Sequence, residues 1–566
     1  MPDATNPYDT YTSPLAARNA SPEMLRLWSP RHKFNTWRRV WLAVAEAQHE
    51  LGLPVSKEQV EELRAVVNRP GGITDEEMHA AEKYERDLRH DVMAHVHALG
   101  DSCPNARPII HLGMTSQDVN DNADLMILDQ ALQLILSKCV RCTVSLAGLA
   151  SHHASTPALA FTHYQAAQPT TVGRRAAQWA FDLECAIRRV PELRENFTGR
   201  LRGLRGATGT QASYLSLLDE GERVDELEAR AIPRIADWAF PPSWDESALD
   251  ERAQKRIKWL EEERERMIAH NTPGGAEATE RALKAAREET GAEQRRGLVT
   301  GLRTSSTFAL VTQTYPRVVD TFILADLAST AAVLHKIATD IRLLSNRKEL
   351  DEPFESKQIG SSAMPYKRNP MRCERICGLT RFVMNLVGNA YDTAATQWLE
   401  RTLDDSSNRR LSLPEAFLAL DGALDLMHNV ASGLVVHEAT VRKNLMAELP
   451  FMATENILMA CVKLGADRQD YHERIRQHAQ EAGMRVKQQG LDNDLLDRLR
   501  ADPAFKSKAN GGMLREELDW EGVMDPMNYI GRSVEQTERF VKEVVEPLRE
   551  QYADAIAKLG ESGPRV

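Results

Sequence analysis

Residues 359–370 read IGSSAMPYKRNP, and the pattern on either side of this stretch decides the predicted fold. Pro365 and Pro370 interrupt a helix, and Gly360 makes the backbone flexible near the start of the stretch. The sequence therefore predicts a loop. Long runs with apolar residues at helical spacing flank it at about 304–347 and 371–400. We therefore expect a loop held between two long helices.

The loop contains side chains that suit acid–base chemistry on an anion. They are Ser361 and Ser362 as candidate bases or nucleophiles, Lys367 as a fixed cation and Asn369 as an amide. A serine acts as a base only where donors, a cation and exclusion of water stabilise its alkoxide, which a closing loop can provide. The alternative is a solvated surface loop. The interleaving of polar, cationic and apolar residues weakens that alternative.

Helical patterns cover most of the remaining chain. They lie at about 34–51, 57–66, 75–99, 122–151, 169–196, 413–433, 455–485 and 532–558. Val, Ile and Thr do not form alternating runs, so any sheet is minor. Several of these runs exceed the mean helix, about 11–12 residues, two-fold or more. Helices of this length need partners along their whole length, so the predicted fold class is an all-α bundle, and we expect it to form an oligomer.

The composition is that of an ordinary soluble protein. The 566 residues are 42% hydrophobic and 27% charged, which fits two or three globular domains. A net charge of −11 disfavours a general nucleic-acid or membrane-surface binder. No apolar signal core and no run of 18 apolar residues is found, so we expect a cytoplasmic protein. The seven cysteines fit a reducing compartment, and the CxxC of Cys139 and Cys142 is interpreted as buried thiols, since no second pair completes a metal site.

Residues 243–296 differ from the rest in their dense mixed charge, broken at Asn271–Gly275. The pattern fits two exposed, salt-bridged helices or a partly disordered arm. A solvated insertion without catalytic work is the favoured interpretation, and a partner-binding role is the alternative.

Two polar segments allow both a functional and a structural interpretation. Arg89-His90-Asp91 places a histidine between a cation and a carboxylate, which makes its proton affinity adjustable, although a surface helix start explains it as well. In HLGMTSQDVNDN (111–122), Thr115 and Ser116 can donate to an anion. They can equally cap the helix that follows, with Asp118 in its first turn.

The segment FTHYQAAQPTTVG (161–173) places His163 among polar neighbours just ahead of a predicted helix. His163 can be a general acid or base that its neighbours orient. A histidine satisfied by hydrogen bonds in the core is the alternative.

The segment WLERTLDDSSNRR (398–410) supplies several cations. On a helix Arg401 and Asp405 share a face, as do Ser406 and Arg410. Together with Arg372 and Arg375 beyond the loop, these arginines can bind a phosphate or several carboxylates. Structural ion pairing explains any one of them, but explains less well why so many flank one loop.

Together the motifs GSSAMPYKRNP, RHDVMAHVH, HLGMTS, FTHYQAAQPTTVG, ATGTQAS, TDIRLL, QWLERTLDDSSNRR and LPFMATENI resemble those of the eukaryotic-type adenylosuccinate lyases, a family of the fumarase/aspartase superfamily. The resemblance runs from about Ser13 to the C-terminus, apart from the charged insertion. It implies an all-α, three-domain subunit with a central bundle of long helices. The implied domains are 1–114, 115–436 with the charged insertion at about 243–296, and 437–566. It also implies a homotetramer in which each active site draws residues from three chains.

The resemblance assigns roles to the residues that match its motifs. Ser361 would be the general base, His163 the general acid, and His90 a support for the substrate or the acid. Lys367 would be a further catalytic residue, which binds substrate or organises the loop. Substrate binding or loop organisation is implied for Arg18, Asn19, Arg89, Asp91, Thr115, Ser116, Gln313, Ser362, Asn369, Arg375, Arg401, Ser406 and Arg410. Two positions depart from the family pattern. Asn19 stands where a tyrosine is usual, and Ala166 stands for a proline, which would loosen the turn around His163.

The implied reaction is β-elimination of fumarate from adenylosuccinate, giving AMP, and from succinyl-aminoimidazole carboxamide ribotide in purine synthesis. Because it includes no redox step, we expect no cofactor and no metal. The expected partners are these small-molecule purine nucleotides, with no nucleic acid and no membrane. One alternative is argininosuccinate lyase or another fumarate-releasing enzyme, which needs no phosphate-binding residues. Another is an inactive helical scaffold that recruits partners through the charged insertion.

Overall fold

The computed structural model describes residues 9–239, 261, 265, 280, 307–355, 357–360 and 363–559. Ser361, Ser362 and nearly all of the predicted insertion at 243–296 therefore lie outside the described residues. Helices dominate the described ranges, where two short two-stranded sheets also occur. The predicted all-α fold class is confirmed.

The first part of the chain contains α1 (Pro22–Leu27), α2 (Pro30–Glu50), α3 (Lys57–Val67), α4 (Asp75–Leu88), α5 (Asp91–Ser102), α6 (Ser116–His152), α7 (Val172–Leu193), α8 (Ala212–Leu218) and α9 (Gly221–Ala239). The second part contains α10 (Val318–Asn346), α11 (Met371–Ala395), α12 (Asp404–Gly433), α13 (Glu438–Met452), α14 (Thr454–Lys463), α15 (Arg468–Gln489), α16 (Leu495–Ala501), α17 (Trp520–Val523), α18 (Ser533–Phe540), α19 (Glu546–Gln551) and α20 (Ala553–Lys558). The strands are β1 (Pro157–Thr162), β2 (Gln165–Thr171), β3 (Leu350–Asp351) and β4 (Val435–Val436), and each sheet pairs two of them antiparallel.

Several helix boundaries differ from the predicted ones. The run 75–99 is two helices, because Arg89 adopts a left-handed conformation (φ 54°) that ends α4. The run predicted to begin at 169 begins at Val172, after a strand. α10 begins at Val318, two residues after a proline, and α12 begins at Asp404 rather than at 413. The runs 455–485 and 532–558 are each divided into shorter helices.

Five long helices, α6, α7, α10, α11 and α12, form the central bundle around one hydrophobic core. α6, α10 and α12 run in the same direction. Near their starts, Arg317 pairs with Asp121 at 3.0 Å, and near their ends Ser145 hydrogen-bonds His428 at 2.9 Å. α7 and α11 run the opposite way, as their contacts with α10 show.

The bundle therefore has two distinct ends. We call the end at which α6, α10 and α12 begin the ion-pair end, and the end at which they finish the loop end. The β1–β2 hairpin follows α6 at the loop end, and the described residues 357–360 and 363–370 lie there between α10 and α11. Because α6 has 37 residues, the two ends are separated by about 55 Å along this helix.

In the described ranges, two larger hydrophobic clusters lie outside the bundle. One joins α2, α3 and α5 to the start of α6 and to residues 201–235. The other is formed within residues 449–524. Separate cores are typical of separate domains, and the predicted boundaries at 114/115 and 436/437 stay predictions.

Among the described residues, α6 and α10 are long and apolar enough to cross a membrane by length and composition, and the bent pair α13 and α14 passes the same test if taken as one span. In this fold the most apolar windows of α6 and α10 are 61% and 56% buried within the chain, because both helices supply the bundle core.

Candidate active site

The start of α6 presents Thr115 and Ser116 at the ion-pair end. Thr115 is the N-cap residue, and its N–H donates to the carboxylate of Asp118 at 2.9 Å. Asp118 is fully buried and also accepts from Arg202, from the N–H of Arg205 and from the hydroxyl of Tyr214. The capping interpretation is thus realised, and it leaves both hydroxyls in partly exposed positions at a helix N-terminus, which favours an anion.

Arg401 lies just ahead of α12 and is held by a buried carboxylate. Its guanidinium pairs with Asp405 at 3.3 Å and donates to the side-chain oxygen of Gln313 at 3.1 Å. Asp405 also accepts from Arg317 at 2.9 Å, so one carboxylate orients two guanidinium groups. The predicted contact between Arg401 and Asp405 is present, although Arg401 precedes the helix on which it was expected.

Arg410 and Asp91 meet although 319 positions separate them in the sequence. Their side chains pair at 2.7 Å, which joins the second turn of α12 to the start of α5. Burial acts to raise the pKa of Asp91, but the hydrogen bond and charge of Arg410 outweigh it and lower that pKa. Ser406 lies one helical turn before Arg410, as predicted.

His90 and Arg89 occupy the exposed connection between α4 and α5. His90 is the N-cap residue of α5, and its Nδ1 accepts from the N–H of Met93 at 3.3 Å. This contact caps the helix through the side chain of His90. His90 therefore forms the surface helix start that was expected as the alternative. Its Nε2 takes no part in this cap.

A cavity of about 270 Å³ lies at the ion-pair end between α2, α6 and α12. Arg401, Ser406 and Arg410 line it, so three of the predicted binding residues share one concave site. Its other side is apolar and includes Trp28 and Phe34. We call it the ion-pair-end cavity.

His163 lies at the tip of the β1–β2 hairpin at the loop end. Thr162 pairs with Gln165, so His163 and Tyr164 form a two-residue turn with φ of 53° and 56°. This turn matches the twist of the strands but costs energy in residues other than glycine and asparagine. Both side chains are exposed. The sequence predicted neither the hairpin nor this exposure, and the core histidine offered as an alternative is wrong.

The base of the hairpin is held firmly although its tip is exposed. Arg347, just after α10, lies over the ring of Phe161 at 4.7 Å. Arg175 donates to the carbonyl of Leu159 at 2.8 Å. Ala166 pairs with Phe161 in the hairpin, so the departure from proline leaves an ordinary strand pair next to the turn.

The described part of the signature stretch is a loop, as predicted. Asn369 donates to the carbonyl of Gly360 at 3.0 Å, which closes the base of the loop. A Cβ on Gly360 would lie 2.2 Å from the carbonyl oxygen of Lys367, so this approach requires glycine. Lys367 itself is exposed. Glu352 accepts from the N–H groups of α11's first turn, which fixes the end of the loop.

Arg375 and Arg18 form a second cationic group at the loop end. Burial lowers the pKa of Arg375, and the charges of Arg18 and Arg372 lower it further. The amide of Asn19 donates to the carbonyl of Pro14 at 2.9 Å, so this side chain caps its own turn. Ser21 binds the buried carboxylate of Asp421 through its N–H at 2.6 Å, which holds this arm on α12.

The structure thus divides the predicted site residues into two groups. The ion-pair end carries Arg89, His90, Asp91, Thr115, Ser116, Gln313, Arg401, Ser406 and Arg410. The loop end carries His163, Lys367, Asn369 and Arg375, with Arg18 and Asn19 on the arm nearby. Ser361 and Ser362 lie outside the described residues.

Three buried residues that hold the site, Asp118, Arg317 and Asp405, have no functional assignment in the sequence analysis. Asp118 and Asp405 lie inside the motifs HLGMTSQD and RTLDD, and their motif positions are the available signal. Arg317 carries no local signal, because its partners are distant in sequence. In the described ranges no group of three or more His, Cys, Asp or Glu side chains is arranged to hold a metal.

A family model described as Lyase matches residues 16–216 and 243–385, and one described as Adenylosuccinate lyase C-terminus matches residues 450–540. The chain is 41% identical to the adenylosuccinate lyase of Saccharomyces cerevisiae, over 99% of this chain and 100% of that protein. It is 42% identical to the adenylosuccinate lyase of Schizosaccharomyces pombe, over 95% of each. The adenylosuccinate lyase of Schistosoma mansoni is 40% identical over 97% of this chain and 98% of its own length.

Solved structures share the architecture at lower identity. The 3-carboxy-cis,cis-muconate lactonizing enzyme from Pseudomonas putida has a TM-score of 0.68 at 21% identity, covering 94% of this chain and 98% of its own. A fumarate lyase from Mesorhizobium sp. BNC1 has a TM-score of 0.66 at 19% identity, covering 94% and 99%. These likenesses show a common fold.

Proposed function

The chain belongs to the adenylosuccinate lyase family, and we propose that it cleaves adenylosuccinate by β-elimination to AMP and fumarate. The observation that carries the proposal is identity of 40–42% to three such enzymes over nearly the full length. The residues that the chemistry requires are present in the sequence, with a serine-bearing loop, an exposed histidine and clustered arginines. Succinyl-aminoimidazole carboxamide ribotide is the second proposed substrate, and the cytoplasm is the proposed location.

The proposed chemistry moves one proton at each side of the bond that breaks. Ser361 takes the proton from the carbon next to a succinyl carboxylate, and the electron pair becomes the double bond of fumarate as the C–N bond breaks. His163 gives a proton to the leaving amine nitrogen, so charge and atoms balance. Each transfer contributes about 10²–10⁴-fold to the rate.

Negative charge accumulates on the carboxylate when the carbon loses its proton. Donors placed at that charge contribute the largest stabilisation, about 2.7–4 kcal/mol for each donor. Thr115 and Ser116 at the start of α6, and Lys367 on the loop, are the donors we assign to it. The arginines in and near the ion-pair-end cavity bind the remaining anionic groups of the substrate.

We also propose that each site is completed by more than one chain of a homotetramer. His163 and the pair Thr115 and Ser116 lie at opposite ends of a helix about 55 Å long, which no single substrate of this size can span. The most apolar windows of α6 and α10 are only 61% and 56% buried within one chain, which leaves apolar surface to be covered. Antiparallel association of bundles would bring the loop end of one chain to the ion-pair end of another.

The reaction is tested by following adenylosuccinate cleavage through ultraviolet absorbance. We expect wild-type turnover, and a loss of several orders of magnitude in Ser361→Ala and in His163→Ala with binding of AMP retained. Turnover that survives in Ser361→Ala would assign the base to another residue. Absence of wild-type turnover on both purine substrates would overturn the proposed function.

Site sharing is tested by mixing two inactive variants, His163→Ala from the loop end and His90→Ala from the ion-pair end. If the two histidines of a site come from different chains, about a quarter of the sites in a randomly reassembled equal mixture contain both. Activity should then rise well above that of either variant alone. A mixture with no gain, or a light-scattering mass near one subunit, would contradict sharing.

A further inference from the structure

The ion-pair-end cavity contains a cation that none of the motifs singles out. Lys33 lies in the first turns of α2 and lines the cavity together with Arg401, Ser406 and Arg410. Its ammonium lies 5.1 Å from the centre of the ring of Trp37, which is fully buried. This contact restrains the long side chain and holds its amine at the cavity wall.

The four arginines that line the cavity all have carboxylate partners. Arg317 and Arg401 share Asp405, while Arg410 pairs with Asp91. Arg409 pairs with Asp320 at 2.7 Å and with Asp124 at 3.1 Å.

Lys33 differs from these arginines. Within the described part of the chain no carboxylate lies within 4.0 Å of its amine. Asp124 is the carboxylate that lines the cavity, and it is already held by Arg409. Burial lowers the pKa of Lys33, and the charge of Asp124 opposes that shift. A half-buried ammonium without an ion pair is costly unless an anion joins it.

In the described ranges, two of the lining arginines each have an N–H group without a partner. Nη1 of Arg317 and Nε of Arg401 are buried and have no hydrogen-bond partner among the described residues. Both side chains line the cavity. Five cations and one carboxylate line the cavity, and Lys33 is the cation among them that has no ion pair in the described residues, so the lining suits an anion. The apolar wall formed by Trp28, Phe34 and Leu128 suits an attached ring or hydrocarbon.

We propose that Lys33 is a substrate-binding residue which, with Ser406 and Arg410, binds an anionic group of the substrate in this cavity. The inference rests on the proposed function and adds a residue to the site. The anionic group is the nucleotide phosphate or a succinyl carboxylate, since an ammonium binds either.

The test compares Lys33→Met with Lys33→Arg and with Lys57→Met. Lys57 is an exposed lysine at the start of α3, paired only with Glu61 one turn away, so its variant controls for the loss of one positive charge. We expect Lys33→Met to raise KM for adenylosuccinate about 10- to 100-fold, because a hydrogen bond to a charged group is lost, with a smaller change in kcat. Lys33→Arg should recover most of the affinity, and Lys57→Met should keep the wild-type KM.

Succinyladenosine, which lacks the phosphate, identifies the anionic group. If Lys33 binds the phosphate, KM for succinyladenosine will be the same in Lys33→Met and in wild type. If it binds a carboxylate, KM will rise for both substrates. KM values within two-fold of wild type for both would overturn the proposal.

Equilibrium binding separates failure of this inference from failure of the proposed function. Titration calorimetry with AMP and with fumarate reports the site without turnover. A wild type that binds AMP but does not cleave adenylosuccinate refutes the function and still allows the Lys33 test. Equal affinities of wild type and Lys33→Met for both AMP and fumarate would refute the role of Lys33.

Discussion

The two ends of the helical bundle are built in opposite ways. At the ion-pair end, Arg317 and Arg409 are buried and bind carboxylates from α6, α10 and α12. At the loop end, His163 and Lys367 are exposed, and Tyr366 beside the lysine is 85% exposed. The first end orders its charges within one chain, whereas the second presents exposed reactive groups on a hairpin tip and a loop.

The difference shows how one subunit combines stability with chemistry. Buried, mutually paired charges fix the geometry of a site before a ligand arrives, but they are costly to disturb. Exposed groups on a hairpin tip and a loop contribute little to stability and are free to be completed by a partner or by a substrate. We therefore expect substitutions of the buried, paired arginines at the ion-pair end to change stability, and substitutions of the exposed groups at the loop end to change turnover.

The largest expected effect is on turnover at the loop end. His163→Ala should lower kcat about 10²–10⁴-fold, because a proton-transfer group is lost. Its free energy of unfolding should stay within about 0.5 kcal/mol of wild type, because the side chain is exposed. Adenylosuccinate cleavage and denaturant unfolding measure the two quantities. The control is His152→Ala, which changes an exposed histidine at the end of α6 and should leave both quantities unchanged. A large loss of stability in His163→Ala would contradict the proposed difference between the two ends.

The next effect is on stability at the ion-pair end, where two adjacent arginines differ in burial. Arg409→Met should lower the free energy of unfolding by about 3–5 kcal/mol, because Asp320, Asp124 and the hydroxyl of Tyr315 lose a buried cation. Arg410→Met removes a side chain that is 54% exposed and should cost less than about 1 kcal/mol. Arg410→Met should instead raise KM. Both variants are measured at one protein concentration. Equal losses of stability would contradict the inference that Arg409 stabilises the fold and Arg410 does not.

A third effect concerns pH and compares a buried histidine with an exposed one. His95 stacks on Phe34 near the ion-pair-end cavity, and burial lowers its pKa to about 4. Because its folded-state pKa lies below the unfolded value of 6.5, its contribution is complete above pH 6.5 and is lost as the pH falls toward 4. The loss approaches about 3 kcal/mol. His95→Phe should therefore flatten the dependence of unfolding free energy on pH between 6.5 and 4, and His163→Phe should not.

The smallest effect tests the arm that carries Arg18 and Asn19. A Cβ at Gly422 would lie 2.7 Å from the carbonyl oxygen of Asn19, so Gly422→Ala must displace the arm from α12. We expect a loss of about 1–3 kcal/mol in stability and a higher KM, because overpacking strains the contact. Gly388→Ala on α11, where nothing lies within 4 Å, should instead stabilise by about 0.5–1 kcal/mol. Equal effects of the two substitutions on unfolding and on KM would show that the arm adjusts freely.

Much of the site was predictable because its residues lie in short local motifs. The loop at 359–370 follows from its prolines and glycine, and the pair Ser406 and Arg410 follows from helical spacing. The hairpin around His163 was not predictable in this way. Its strands do not show β-branched residues at every second position. Its turn has His and Tyr at positive φ, where Asn or Gly is usual. The break at Arg89 escaped prediction for the same reason, since arginine is not a usual left-handed cap.

The sequence by itself determined the helical fold class, the residue types for the chemistry and, through its motifs, the family. Only the tertiary structure decided that Arg410 meets Asp91, that Lys33 reaches the cavity, and that His163 and Thr115 lie at opposite ends of the bundle. The physical reason is that local patterns specify periodicity and turns within a few residues. Contacts across hundreds of residues depend on how whole helices pack, and on which of their charges that packing buries.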